Sequence, residues 1–466
     1  MNKKKVVLPS SYTIIFSVIV LIGILTWCIP GIQHAMPSDV LQAPVEGFKK
    51  GVSVILFIFI IGGYLRLINE TKALEVGIGK VVQKLNGKEI LIIPVIMFIC
   101  SLGGTTYGLS DEALALYPLV ISTLMACGFD VITATATILC GIISGVSGST
   151  INPFSISVAI DSLVQVGITP NQGLVMGMGT IVWLVSYAIS CAMVMRYAVK
   201  VRKDHSKSYM TAAEKEMTEK AFSNPDILNQ TIEFDSKMKT TLAIFGISFA
   251  VMIMALIPWA DYGITIFEGW SSFLTGTPIG SWYYNELCIW FLIMTFIVGK
   301  LNGKTEKQIM RTVVLGAGEL MGAALIVGLS KGVSVLMSST GFDMYLLNAG
   351  TQALNGVPTG LFSTLSYLFY SGFTILIPST SGLAAASIPT MGGLANSLGF
   401  APELMITIYI AAHHIVGIIP TSGTVMSALS VSKLEYTSWV KFYGKIYLVV
   451  SIVNIVLIGI IMGIMK

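Results

Sequence analysis

GLSDEALALYP (Gly108–Pro118) followed by GSTINPFS (Gly148–Ser155) is answered in the second half of the chain by STSGLAAASIP (Ser379–Pro389) followed by IPTSGTV (Ile419–Val425). Pro118, Gly128 and Thr150 recur at Pro389, Gly399 and Thr421 with one offset of 271 residues, and Phe129 and Phe400 follow the two glycines. Upstream, Gly63, Thr71 and the Leu85–Gly87 triplet recur at Gly332, Thr340 and Leu354–Gly356, offset by 269. Two sets of matches whose offsets drift by two residues are what an old duplication leaves. Duplicated apolar segments interrupted at matching places by Ser, Thr, Gly, Asn and Pro mark the binding region of a secondary transporter.

Composition agrees. With 54% hydrophobic and 11% charged residues over 466 positions, the chain is not a soluble globular protein. Apolar runs of helical length fall at Tyr12–Ile29, Val52–Leu67, Ile90–Leu102, Val131–Val146, Gly173–Val194 and Thr241–Ile257. They continue at Leu287–Val298, Ala323–Met337, Leu361–Ile377, Met405–Ile418 and Ile446–Ile464. Several are too short for a simple span. Short runs flanked by small polar residues predict re-entrant hairpins or broken helices, tolerated at membrane depth where protein or water covers the backbone. The MNKKK opening leads into a stretch too long, and without the small-residue site, for a cleaved signal; it reads as a retained first helix. The six cysteines have neither pairing nor metal spacing and read as buried small hydrophobes.

Lysine and arginine cluster at Lys3–Lys5, Arg66–Lys88, Arg196–Lys239, Lys300–Arg311 and Lys433–Lys445, whereas Trp259–Glu286 has none. The positive-inside rule puts the first five, and the N-terminus, in the cytoplasm and the last segment outside. The net charge of +4 is this loop effect and not a nucleic-acid signature. The run near Val52 is then entered from outside and its repeat near Ala323 from the basic cytoplasmic side, with three helices between them. The expected fold is all-α: a polytopic membrane protein with two inverted-topology repeats, each with a re-entrant hairpin and a broken helix. The expected division is a first helix and outer loop (1–40), repeat 1 (41–198), a cytoplasmic linker (199–239), connecting helices (240–311) and repeat 2 (312–466). Within the linker a short charged helix is expected at Ala212–Ala221, with its charges on a solvated face.

Ser147, Ser149, Thr150 and Asn152 stand before Pro153, and Thr421 and Ser422 follow Pro420, at equivalent breaks. Together with Ser379, Thr380 and Ser381 they read as hairpin-tip groups. Freed amides there suit a substrate carboxylate. Freed carbonyls and hydroxyls suit a small cation, so Ser149, Thr150, Asn152, Thr421 and Ser422 make a candidate sodium site. Helix capping and close packing by small residues is the competing reading of any one cluster; two clusters at one offset favour a site.

Ser110, Asp111 and Glu112 correspond to Ser381, Gly382 and Leu383, so the acidic pair breaks the symmetry. Carboxylates in a membrane segment normally face a cavity or pair with a cation, which makes the pair a candidate for holding a substrate ammonium or guanidinium, a proton or sodium. Simple capping of the next helix is the alternative. Lys331 and Glu319 lie about three turns apart, roughly 18 Å on an ideal helix, too far to pair with each other. Lys331 is left to snorkel, to pair elsewhere or to contact a carboxylate. His413 and His414 are adjacent and cannot face the same way on a helix, so at most one lines the pathway.

Several stretches, FIIGGYLRLINETKALEVGI, GLSDEALALYP, GFDVITA, STINPFS, IPSTSGLAAASIPTMGGLANSLGF and PTSGTVMSAL, resemble the C4-dicarboxylate anaerobic carrier-like family in its basic amino acid antiporter branch. The likeness runs from about Leu8 to Ile460. It implies membership of the ion transporter superfamily, a scaffold, two re-entrant hairpins, an elevator-type motion and a homodimer. Asp111-Glu112 and Asn152-Pro153-Phe154 match family elements. Ala411, Ala412, His413 and His414 depart from it, standing where a glycine-aspartate-glycine element is usual.

The expectation is a secondary carrier of the bacterial cytoplasmic membrane whose partners are the lipid bilayer and a small-molecule substrate, without a cofactor or nucleic acid. Exchange of arginine for ornithine or a similar basic amino acid is the first reading, with Asp111 and Glu112 on the cationic side chain. A sodium- or proton-coupled C4-dicarboxylate or other organic-anion carrier, leaning on Lys331, is the second. No GxSxG elbow, paired-histidine metal motif or Walker motif occurs, so neither an enzyme nor an ATP-driven pump is expected.

Overall fold

The computed structural model describes residues 11–74, 76–77, 80, 88–106, 108–222, 235–257, 259–355 and 357–465; Lys3–Lys5, the Leu85–Gly87 triplet and Gly356 lie outside them. The described chain is all-helical, and nine helical stretches in it are long and apolar enough to cross a membrane. α1 (Ser11–Thr26) and α2 (Pro37–Glu70) lead to a hairpin of α3 (Ile92–Thr106), a tip at 108–110, a 3-10 turn (Asp111–Leu116) and α4 (Tyr117–Ala126). A broken helix follows: α5 (Val131–Gly148), a break at 149–152, a π turn (Pro153–Ser157) and α6 (Val158–Gln165). Then come α7 (Gln172–Lys203), α8 (Ala212–Phe222), α9 (Ser236–Leu256), α10 (Tyr284–Leu301), α11 (Glu306–Thr340) and α12 (Phe342–Leu354). The second hairpin is α13 (Thr359–Leu376), a tip at Ile377–Ser379 and α14 (Thr380–Ser397). The second broken helix is α15 (Glu403–Ala412) with a 3-10 turn (His413–Ile418), a break at 419–422 and α16 (Gly423–Ser432), and α17 (Tyr436–Ile464) closes the chain.

The recurring Gly-Phe pairs are explained by the corners between hairpin and broken helix. Gly128 and Gly399 sit at φ +81° and +78°, a left-handed conformation that glycine takes without strain. At each corner the phenylalanine amide reaches back to the carbonyl five residues earlier, Phe129 to Leu124 and Phe400 to Ala395, both at 2.9 Å, which is the Schellman closure of a helix. Asp130 then starts α5 by accepting from the Thr133 amide at 2.9 Å. A second matched link ties each broken helix to its own hairpin. The Thr150 hydroxyl donates to the Thr105 carbonyl (3.2 Å) and the Thr421 hydroxyl to the Ile375 carbonyl (2.9 Å).

α2 and α11, which carry the matches at offset 269, pack against each other along a seam of glycines. Gly47 faces Gly328 and Gly332, Gly51 faces Lys331, Gly62 faces Gly316, and Gly63 faces Val313. Positions rise along one helix as they fall along the other, so the equivalent helices run antiparallel, as inverted repeats require. The contact is close enough for each helix's carbonyls to touch the other's glycines, the small-residue packing typical of membrane helices. Across the seam Arg66 pairs with Glu319; Glu70 takes Lys304, just before α11, at 2.6 Å and, within α2, Arg66 at 3.5 Å. Glu319 therefore has its partner on α2.

The helices form two bodies. α1, α2, α9, α10 and α11 pack on one another; the two hairpins, the two broken helices, α7 and α17 form the other, and α16 against α11 is the main contact between them. The charged linker helix α8 belongs to the second body, and here the solvated-face expectation fails at Glu214. That side chain is only 2% exposed: its carboxylate accepts from the amides of Thr211 (2.6 Å) and Glu435 (2.7 Å) and from the Ser438 hydroxyl (2.8 Å). It pins α8 to the start of α17, where amides lack helical partners.

Candidate functional site

Where α15 loosens into its 3-10 turn, the freed carbonyls are taken up by α17. Trp439 Nε1 donates to Gly417 (2.7 Å), the Tyr443 hydroxyl to His414 (3.1 Å), and the Tyr436 hydroxyl to Ile418. The turn is thereby fixed, and it splits the histidine pair. His414 turns away from the cavity described next, with Nδ1 at 2.9 Å from the Ser147 hydroxyl and its ring stacked on Tyr443. His413, 4% exposed, lines that cavity, and its Nδ1 has no hydrogen-bond partner among the described residues.

The cavity, of about 260 Å³, lies where the tips of both hairpins and the breaks of both broken helices converge on α11. From the second body come Ser110 at the first tip, Ser379, Thr380 and Ser381 at the second, and Asn152, Thr421 and Ser422 at the breaks. From the first body comes Lys331, half-buried, with its stem against Gly51. No described carboxylate forms an ion pair with Lys331. Ser149 and Thr150 stand behind the lining. The Ser149 hydroxyl donates to the Val146 carbonyl (2.6 Å), and the Thr150 amide donates to the Thr105 hydroxyl (3.0 Å). The Asp111 and Glu112 side chains lie outside the described residues; their backbone opens the 3-10 turn that follows the tip.

The structure separates two kinds of break that the sequence merges. Ser379 to Ser381 are at a hairpin tip, whereas Ser149 to Asn152 and Thr421 with Ser422 are at interruptions of broken helices; the other hairpin tip is at 108–110. Tips and breaks interlock across the repeats. The Ser110 hydroxyl is 2.7 Å from that of Thr424 on α16, and the Thr380 hydroxyl donates to the Phe154 carbonyl (3.5 Å).

Electrostatically, two of the helices that begin at this cavity carry serine caps. Ser379 caps α14 by accepting from the Gly382 amide, and Ser422 caps α16 by accepting from the Val425 amide, each at 3.3 Å. Both therefore present the positive ends of their dipoles where Lys331 adds a full charge. Ser330, beside Gly423 at the start of α16, lines the same cavity, and its buried hydroxyl has no partner among the described residues. Orphaned buried polar atoms are uncommon, and two of them, on Ser330 and His413, belong to residues facing one cavity.

Sequence reasoning missed Ser330 and Ser334, which lie with Lys331 on α11 and line the cavity; their i, i+4 spacing on either side of the lysine was the available signal. It also missed Phe154, Tyr283 and Tyr284. A second cavity, of about 450 Å³, lies between α8 and the corner at Gly128; although larger, it includes none of the sequence-derived candidates, and Asp130 in its wall is already engaged by Thr133, Tyr197 and Ser208.

An uncharacterized protein of Haemophilus influenzae is 29% identical over 428 residues, 91% of this chain and 79% of that one. A protein of Escherichia coli named "Putative basic amino acid antiporter YfcC" is 24% identical over 437 residues, 89% of this chain and 80% of that one. Among solved structures, the Alcanivorax borkumensis YdaH transporter (13% identity, 98% of this chain and 99% of that one) and Neisseria gonorrhoeae MtrF (14%, 99% and 96%) each align with a TM-score of 0.45. Residues 32–463 match the model of the C4-dicarboxylate anaerobic carrier, and the chain belongs to that family of membrane transporters.

Proposed function

We propose that the protein is a secondary carrier of the bacterial cytoplasmic membrane that exchanges a basic amino acid, arginine or ornithine in type, by moving its second body against its first. One observation supports it above the others: Lys331, the orphaned Ser330 hydroxyl and the capped starts of α14 and α16 meet in one cavity. That set is built for a carboxylate. The acids at positions 111 and 112, next along the chain from cavity-lining Ser110, supply the counter-charge for a cationic side chain. The name of the Escherichia coli relative agrees with this choice. In the alternating-access cycle the second body carries the solute in an elevator-type motion, while Lys331 and α10 stay behind on a first body that also supplies a homodimer contact. The N-terminus is cytoplasmic. Ser149, Thr150, Asn152, Thr421 and Ser422 remain the place for a coupling cation if uptake is sodium-driven.

Lys331 also favours a second reading, a C4-dicarboxylate or other organic-anion carrier with sodium or proton coupling. Counterflow in proteoliposomes separates them. Vesicles preloaded with unlabelled arginine, ornithine, succinate or buffer are given labelled arginine, with and without ion gradients. Uptake stimulated by internal ornithine with no gradient establishes basic amino acid exchange. Absence of arginine uptake, with labelled succinate entering in the parallel assay, sinks the first reading in favour of the second.

A further inference from the structure

The wall of the cavity contributed by α10 is aromatic, and it is shared between the two bodies. Tyr283, at the N-cap of α10, and Tyr284 line the cavity together with Phe154, which follows the break in the first broken helix. The Tyr283 ring lies 4.4 Å from Tyr284 and 5.1 Å from Phe154, centroid to centroid, with both pairs tilted. Tyr284 is backed by Phe57 (5.8 Å), which packs on Phe291 (6.1 Å). The wall is therefore anchored in the first body, yet Tyr283 stays 46% exposed. A ring meant only to seal the interface would be buried, as Tyr284 is.

We propose that Tyr283, with Tyr284 and Phe154 beside it, is a specificity-determining surface for the cationic end of the substrate. Resting on the amino acid reading above, it deepens it: the ligand class is a zwitterion whose side chain ends in a planar guanidinium, the cation that stacks best on aromatic rings. Its carboxylate takes Lys331 and the helix starts. The guanidinium lies over the Tyr283 face, which supplements the acids at 111 and 112 and discriminates by shape as well as charge. Phe154 rides on the second body and Tyr283 on the first, so the wall is complete only while the bodies stand as they do here. Translocation releases the cation from it.

Counterflow of labelled arginine, competed by unlabelled arginine and by citrulline, its neutral isostere, tests this in the wild type, Tyr283→Leu and Tyr283→Phe. Tyr283→Leu keeps bulk and apolarity but removes the ring; arginine affinity should fall about fivefold or more while citrulline competition holds, the size expected for a partly desolvated cation–π contact. Tyr283→Phe should rescue arginine affinity. Wild-type arginine affinity in Tyr283→Leu, or an equal loss for arginine and citrulline, overturns the assignment and leaves the carrier reading standing. A wild type that exchanges no arginine at all defeats both together.

Discussion

Gly47→Ala tests whether the α2–α11 seam is the frame that holds Lys331. A methyl carbon built on Gly47 stands 2.4 Å from the Gly328 carbonyl oxygen and 2.4 Å from the Gly332 nitrogen, atoms that bracket Lys331 on α11. Ordinary contact begins near 3.4 Å, so the helices must part by about 1 Å at this point, since both obstacles are backbone and cannot rotate away. Overpacking of this kind costs about 1–3 kcal/mol, against about 0.5–1 kcal/mol that alanine returns as better helix propensity. The net loss should be about 1–2 kcal/mol. The same displacement moves Lys331 within the cavity, and weakening a charge-assisted hydrogen bond worth about 1.5–3 kcal/mol should raise the arginine KM by about tenfold. Gly318→Ala is the control on the same helix, with no described residue within 4 Å of the added carbon. It should unfold no earlier than wild type. Thermal unfolding in detergent, followed by tryptophan fluorescence, and counterflow on the same preparations provide the two readouts. If Gly47→Ala matches Gly318→Ala in both, the seam is not rigid and the argument for Lys331 placement through it is wrong.

Three further outcomes are expected. Lys331→Gln should raise the KM for arginine by at least about tenfold with little change in unfolding temperature; unchanged KM would remove Lys331 from the carboxylate site, and selective loss of succinate transport would favour the organic-anion reading. Asp111→Asn should abolish or strongly depress arginine transport while the protein remains folded by size-exclusion chromatography; wild-type rates would reject its role in holding the cation. Glu214→Ala strips partners from two amides and the Ser438 hydroxyl and should destabilise by about 2–3 kcal/mol, seen as a lower unfolding temperature. An unfolding temperature equal to wild type would mean that α8 docks by other contacts.

The repeats were legible because their landmarks are backbone requirements. Gly128 and Gly399 take positive φ, so the glycines stay visible at one spacing, while the residue after each closes the helix through its amide. Helix lengths were not legible in the same way. The Val52–Leu67 run is part of a helix from Pro37 to Glu70, and Ala323–Met337 is part of one from Glu306 to Thr340. Hydropathy reports contact with lipid, whereas these helices continue through polar turns. Glu319 shows why: within one helix it is an isolated carboxylate in an apolar run, and only the antiparallel approach of α2 brings Arg66 to it. The confusion of tips with breaks has a similar cause. Gly108–Ser110 reverses the chain and Ser149–Asn152 does not, yet both are short runs of small polar residues, and direction is not a local property. At the site, Lys331 stood out because charge is rare in apolar runs, while Ser330 and Ser334 did not, because serine is common in membrane helices and its value here is an unpartnered hydroxyl visible only in three dimensions.

The departures from symmetry carry more of the functional argument than the symmetry does. Hydroxyls recur across the repeats, Ser110 with Ser381 and Thr150 with Thr421, and with them the hairpin tips and helix breaks that free backbone groups. Charges do not recur. Asp111 and Glu112 correspond to Gly382 and Leu383, and Lys331, at the 269 offset of its helix, corresponds to Gly62. Each glycine has a local reason: Gly62 lets α11 approach to within contact of its backbone, and Gly382 lies in the first turn of α14 under the Ser379 cap. The two half-sites thus share neutral donors and acceptors, while negative charge stands on one repeat and positive charge on the other. A dianion would gain nothing from acids at 111 and 112. A solute with a carboxylate at one end and a cation at the other uses both charges, which is why the zwitterion takes precedence over the dicarboxylate.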